Sequence, residues 1–318
     1  MLGLARANAS RGRHLICTST EHHAVLHAFE HLQKHEGFDV TFLPVDERGG
    51  IALEKLARAI RNDTTLVSIM AANNETGVLQ PMNELSEICR AGGALLHSDM
   101  VQSFGKIQTH LSESGLAAAS FAAHKFHGPK GAGLLYLREG SPLEAIQFGG
   151  AHENQRRPGT ENVPAIAGMA AAAEWILRER VHEQERQGDL RDHLWKLISQ
   201  SCPTAKRNGD SEHCLANTLN VSFTGQSSET ILMALDLEGV CASSGSACMV
   251  GSVVASHVLL AMNLSAEHAS SAIRFSLGHE TSEEEIGQVA KITRRIMERL
   301  GRGEPKTIGN EYAIVRSA

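Results

Sequence analysis

Between Cys17 and Arg138 short apolar runs alternate with stretches of helical periodicity. Runs at residues 14–19, 39–45, 66–72, 94–100, 117–123 and 132–138 have the length and apolar density of buried strands, and 21–35, 53–62 and 82–91 predict helices between them. The last of these follows Pro81, which suits an early helical position because it has no N–H to leave unpaired. Alternation of this kind makes βαβ units and hence a mostly parallel sheet.

From Val163 to about Gln200 the pattern turns continuously helical, long enough to carry the chain from one domain to the next. Beyond it, 217–223 and 240–246 predict strands flanking a helix at 228–238, and a final helix opens at Ser282, where Glu285 completes a capping box. The expected fold class is therefore α/β, with a large domain of mostly parallel sheet over residues 1–178 and a smaller α+β domain over 179–318. Residues 3–10 have the pattern of a helix's tail and His14 begins a strand at once. The opening part of the large domain is expected to lie outside the chain.

With 318 residues and 42% hydrophobic content the chain can bury the cores this pattern needs. A net charge of −6, with Lys and Arg scattered among Asp and Glu, argues against nucleic acid as a partner, because neutralising phosphates needs concentrated basic surface. No apolar run reaches the length of a bilayer span, so no membrane association is expected. Six cysteines without CxxC spacing are no secreted disulfide framework, and a reducing cytoplasm is the default.

Ser120-Phe-Ala-Ala-His-Lys-Phe-His-Gly-Pro-Lys-Gly follows a strand and sets His124 and Lys125 at its C-terminal end, where ligands of open α/β sheets collect. Asp99 closes an earlier strand, with Gln102 three residues on. A carboxylate and a lysine on neighbouring strand ends suit pyridoxal phosphate, the lysine forming a Schiff base and the carboxylate pairing with the pyridinium nitrogen. An ordinary ion pair has the same spacing. Ser243-Ser-Gly-Ser-Ala-Cys248 places a thiol in a run of small residues no core would need, although most unpaired cysteines are buried and inert, the reading kept for the other five. His23 and His27 have the i, i+4 spacing of a helical metal pair, but no third ligand accompanies them, so no metal is expected and an exposed helix face is the better reading.

Seven segments in order carry a resemblance: Thr20-Glu-His-His-Ala-Val, Asn73-Asn-Glu-Thr-Gly, His97-Ser-Asp-Met-Val-Gln-Ser-Phe-Gly-Lys, Ala123-His-Lys-Phe-His-Gly-Pro-Lys-Gly, Arg157-Pro-Gly-Thr-Glu-Asn, Ser243-Ser-Gly-Ser-Ala-Cys and Ile273-Arg-Phe-Ser-Leu-Gly. Together they resemble the cysteine desulfurases of iron–sulfur assembly, of the class with a long catalytic loop, which have the type I pyridoxal-phosphate transferase fold. The resemblance implies that Lys125 forms the Schiff base, Asp99 pairs with the ring nitrogen, His22 stacks on the ring, Gln102 bonds its phenolic oxygen and His124 contacts the phosphate. It further implies that Asn74 and Arg274 hold the substrate carboxylate, that Thr160 reaches the phosphate of the other subunit of a homodimer, and that Cys248 is the nucleophile, with His22 the nearest base.

The implied reaction turns L-cysteine into L-alanine and leaves the sulfur as a persulfide on Cys248 for an acceptor or iron–sulfur scaffold protein. Three places depart from the family pattern. The chain begins after the Gly-Ala-Thr-Glu turn that cradles the phosphate, Ala122 stands where a serine is usual, and His279 where an arginine is usual. Alternative readings are a remnant with impaired cofactor binding and a selenocysteine lyase.

Overall fold

The computed structural model describes residues 1–245 and 255–302. Its first half winds around a six-stranded sheet of order β2-β1-β3-β4-β5-β6. The strands are β1 (His14–Thr18), β2 (Asp39–Leu43), β3 (Thr64–Ser68), β4 (Leu95–Asp99), β5 (Ala118–Ala122) and β6 (Gly133–Leu137). All neighbours pair in parallel except β6, which runs antiparallel to β5. Around them lie α1 (Leu2–Ala7), α2 (His23–Glu36), α3 (Leu53–Ala59), α4 (Met82–Ala91) and the short α5 (His152–Gln155).

Strands β1 and β3 are buried at every position, as expected of parallel strands covered on both faces. One apolar layer joins Ile16, Val67, Leu85 and Leu96, and the opposite one joins Leu15, Phe29, Leu32 and Leu66. The expected strand at 66–72 lies slightly earlier, as Thr64–Ser68; Ile69 and Ala71 still donate to the carbonyls of His97 and Asp99 at 3.1 Å, outside regular strand geometry.

The 39-residue α6 (Val163–Ser201) runs from this layer into the next, capped by the Asn162 side chain, which accepts from Ala165 N. Its second half packs Leu190, Leu194 and Ile198 against an antiparallel sheet of order β7-β8-β9, made of β7 (Ala205–Arg207), β8 (Thr218–Phe223) and β9 (Ala272–Ser276). Completing this layer are α7 (Ser228–Leu237) and α10 (Glu283–Gly301), whereas α8 (His257–Ala261) and α9 (Ala266–Ser270) bury Val258, Leu259 and Ala269 in the core of the first sheet. Helix α10 opens on the expected capping box: Ser282 Oγ accepts from Glu285 N and Glu285 Oε2 from Ser282 N.

The strand expected at 240–246 is, over its described part, a single bridge between Ser243 and Arg274. A Ser-Ser-Gly sequence has too little side chain to pack as a sheet edge. Strand β9 supplies the third strand instead.

Candidate active site

Asp99 ends β4 and Lys125 ends the single 3-10 turn, Ala123–Lys125, that follows β5. Since β4 and β5 are neighbours with Asp99 opposite Ser120, the two groups share one end of the sheet. A glycine is needed to fold the chain back over this turn: a Cβ on Gly128 would stand 2.8 Å from that of Ala123, whose carbonyl accepts from Gly128 N at 2.9 Å. Beneath the site His97 is fully buried and bridges Ser68 Oγ and Ser120 Oγ, each at 2.9 Å, tying β3, β4 and β5 together. Burial holds it neutral, its pKa pushed down to about 3.

Burial raises the Asp99 carboxyl above its ordinary range, opposed by Val101 N, which donates to one oxygen at 3.0 Å, and by the nearby His22 and Lys125. His22 caps α2, its Nδ1 accepting from Ala24 N at 3.2 Å. The neutral ring therefore carries its proton on Nε2. Burial is the main cause of its lowered pKa, with Asp99 pulling upward and His23 and Lys125 pushing further down. His22, Asp99 and Lys125 thus act on one another electrostatically.

Gln102 lies in the turn after β4, where its Oε1 accepts from Lys106 Nζ at 3.0 Å. Lys106 and Lys125 line one cavity of about 160 Å³, together with Phe104, Gln187 and Asn217. His124 is exposed beside the lysine, and Thr160 is exposed on the segment before α6.

Asn74 and Arg274, 200 residues apart, meet here: Arg274 Nη1 donates to the Asn74 carbonyl at 2.7 Å. Asn74 Oδ1 is buried with no hydrogen-bond partner, an acceptor in want of a donor. Next to it, buried Glu75 accepts from Ser256 Oγ at 2.5 Å and packs against Gly245, where a Cβ would stand 1.9 Å from Glu75 Oε2. Gly245 is the last described residue before the segment carrying Cys248 and Ser256 the second after it; Cys248 itself lies outside the described residues.

Sequence reading missed Lys106, Glu75 and Glu21. All three stand in quoted segments but carry no spacing signal, and Glu21 shows its role only through burial: its Oε1 accepts from Met70 N and Thr18 Oγ1 while Oε2 is buried without a partner. The histidine pair gains a neighbour that spacing could not show, since His257 stands 4.5 Å from His23 and His27 5.0 Å from it, ring to ring. Among the described residues no group of three or more His, Cys, Asp or Glu is placed to hold a metal ion. Cys17, Cys89 and Cys202 are buried, and burial pushes the Cys89 thiol up to about 12, as the inert reading requires, whereas Cys214 is half-buried and Cys241 exposed, which the buried reading did not anticipate.

The family model for aminotransferase class-V matches residues 1–289. The chain belongs to that family. It is 42% identical over 298 residues to the cysteine desulfurase IscS of Dictyoglomus turgidum, covering 94% of this chain and 75% of that one. Among solved structures, a NifS-like protein superposes with a TM-score of 0.86 at 37% identity, covering 94% of this chain and 78% of the other. SspA in complex with cysteine superposes with a TM-score of 0.74 at 31% identity, covering 86% and 76%. The type I transferase fold expected from the sequence is the fold found.

The ring-binding half of this family member fits pyridoxal phosphate. A partly buried carboxylate with one oxygen engaged only by Val101 N, an amine on the neighbouring strand end and a capped imidazole are what a pyridinium aldehyde requires. The unpartnered Asn74 Oδ1 beside Arg274 marks where a further polar group belongs. Ala122, three residues before Lys125, offers no hydroxyl, and His124 beside the lysine is exposed.

Proposed function

We propose that this chain is a pyridoxal-phosphate-dependent cysteine desulfurase, converting L-cysteine to L-alanine and keeping the sulfur as a persulfide on Cys248. The convergence of Asp99, Lys125 and His22 at one end of a class-V aminotransferase sheet carries this reading. Relatives named cysteine desulfurase and the cysteine complex of SspA support the substrate.

Pyridoxal phosphate bound to Lys125 supplies an electron sink for charge developing at the substrate α-carbon. Asp99 keeps a proton on the ring nitrogen, because a carboxylate opposite a pyridinium favours its charged form. Arg274 and Asn74 orient the substrate carboxylate, for which the planar guanidinium fork is shaped. His22 holds a proton at Nε2, because a second proton on Nδ1 would displace the Ala24 N–H, and the Nε2–H would face a bound cofactor ring. Acting as the base for the thiol therefore requires its ring to release Ala24 and turn. The Cys248 thiolate attacks the substrate sulfur; the S–S bond forms, the carbon–sulfur bond breaks, its electron pair goes to carbon and is protonated, and alanine leaves. The persulfide then passes to an acceptor such as an iron–sulfur scaffold protein.

The reading extends to two domains divided near Arg178, a homodimer and a cytoplasmic location. Exposed Phe148, Ile146, Val163 and Ile166 support the homodimer, since an isolated subunit rarely leaves so many large apolar side chains in water. No helix among the described residues is long and apolar enough to cross a membrane.

The test is the visible spectrum of the 318-residue chain with added pyridoxal phosphate, before and after L-cysteine. The expected result is a Schiff-base band that cysteine shifts, with alanine formed by the wild type, no band in Lys125→Ala, and no sulfide or alanine from Cys248→Ala. A wild type without a band, or Cys248→Ala that still makes alanine at the full rate, overturns the reading.

A further inference from the structure

Lys106 is a half-buried cation that the mechanism above does not use. Its charged neighbours are Lys125 and Arg274, and burial together with these two cations pushes its pKa down to about 8. A cation kept in such company is costly unless it does something there. Its ammonium donates to Gln102 Oε1 at 3.0 Å.

The backbone is built to make that contact. Gly105, at φ +72°, lies against Ile176 of α6, where a Cβ would stand 2.6 Å from the isoleucine side chain. Only glycine lets the turn close under α6 and bring Lys106 back beside Gln102. The ammonium and Lys125 then face the same cavity.

A glutamine amide has an acceptor end and a donor end of nearly equal shape, and free rotation offers either to a ligand. An ammonium has three donors and no acceptor, so it can engage only the carbonyl end. From this geometry we propose that Lys106 is a positioning residue that fixes the Gln102 amide with its NH2 turned to the phenolic oxygen of pyridoxal phosphate. It rests on the reading that Lys125 and Asp99 hold that cofactor. The arrangement selects a ligand with an acceptor oxygen at that point and leaves the donor in place before binding.

The test compares pyridoxal phosphate affinity and the Schiff-base absorption maximum in the wild type, K106M, K106R, Q102A, Q102E and Q102A/K106M. K106M is expected to bind about tenfold more weakly, the equivalent of one misdirected hydrogen bond, and to move the maximum in the direction that Q102A moves it. K106R restores both, the double variant is no worse than Q102A, and Q102E, which keeps the partner for Lys106 but has no NH2, behaves as Q102A. Wild-type affinity and spectrum in K106M or in Q102E overturn the proposal, as do losses that multiply in the double variant; the Q102E arm stands even where K106M fails to fold. A wild type with no band overturns the cofactor reading and this proposal together, whereas a wild-type band that K106M leaves unchanged overturns this proposal alone.

Discussion

The two halves of the site are built in different ways. The half with Asp99 and Lys125 comes from adjacent strand ends of one sheet, and His97 pins three of those strands from below with two hydrogen bonds. The half with Asn74, Glu75 and Arg274 is assembled across the junction of the two sheets, from residues up to 200 positions apart, through side-chain bonds that include Arg274 to the Asn74 carbonyl, Asn220 to the Glu75 carbonyl and Ser256 to the Glu75 carboxylate. The first half is rigid because the ladder itself fixes it. The second depends on single side chains, so it can give way without unfolding the sheet, and it also roots the segment that carries Cys248.

If that contrast holds, the largest effect of a conservative change falls on the junction. Arg274→Lys keeps the charge but loses the fork and the bond to the Asn74 carbonyl, and KM for cysteine is expected to rise about ten- to a hundredfold with a smaller change in kcat. Steady-state kinetics on the cofactor-loaded enzyme decide it; an unchanged KM means that the carboxylate is held elsewhere. Gly245→Ala is the next test. Its methyl would meet Glu75 Oε2, forcing the carboxyl away from Ser256 at a cost of about 1–3 kcal/mol, while the Lys125 half stays intact. Lowered stability in urea and lowered kcat, with the Schiff-base band preserved, are expected; loss of the band would show that the two halves are not separable.

The same contrast explains what could be read from the sequence. Asp99 and Lys125 were legible because strand, strand end and chemistry stand together locally, and the period of the pattern places both at one edge of a parallel sheet. His97 was visible only as a letter in a segment, since its role depends on serines 29 and 23 residues away. Arg274 and Asn74 came from resemblance alone, because no local pattern brings residues so far apart into contact. Strand β9 was missed for a related reason: a five-residue run is made a strand by its partners, and its partner β8 lies about fifty residues back. The strand expected at 240–246 erred the other way, a β-like composition without a ladder to join.

The smallest expected effect sharpens the first half. Glu21 is fully buried beside His22, and burial raises its pKa from 4.5 to about 8, with the Asp99 charge adding to the rise. The folded protein then holds a proton on Glu21 between pH 4.5 and 8 that the unfolded chain has released. Stability from this group is therefore full below pH 4.5 and is lost as pH rises toward 8, at a limiting slope of about 1.4 kcal/mol per pH unit. Glu21→Gln replaces the protonated carboxyl with a neutral amide and removes the slope. Thermal melts of the two proteins should nearly coincide at pH 5 and separate in favour of the glutamine variant by pH 8. Coincident melts at both pH values would mean that Glu21 is ionised in the fold, and the strand-end half would then hold two carboxylates in place of Asp99 alone.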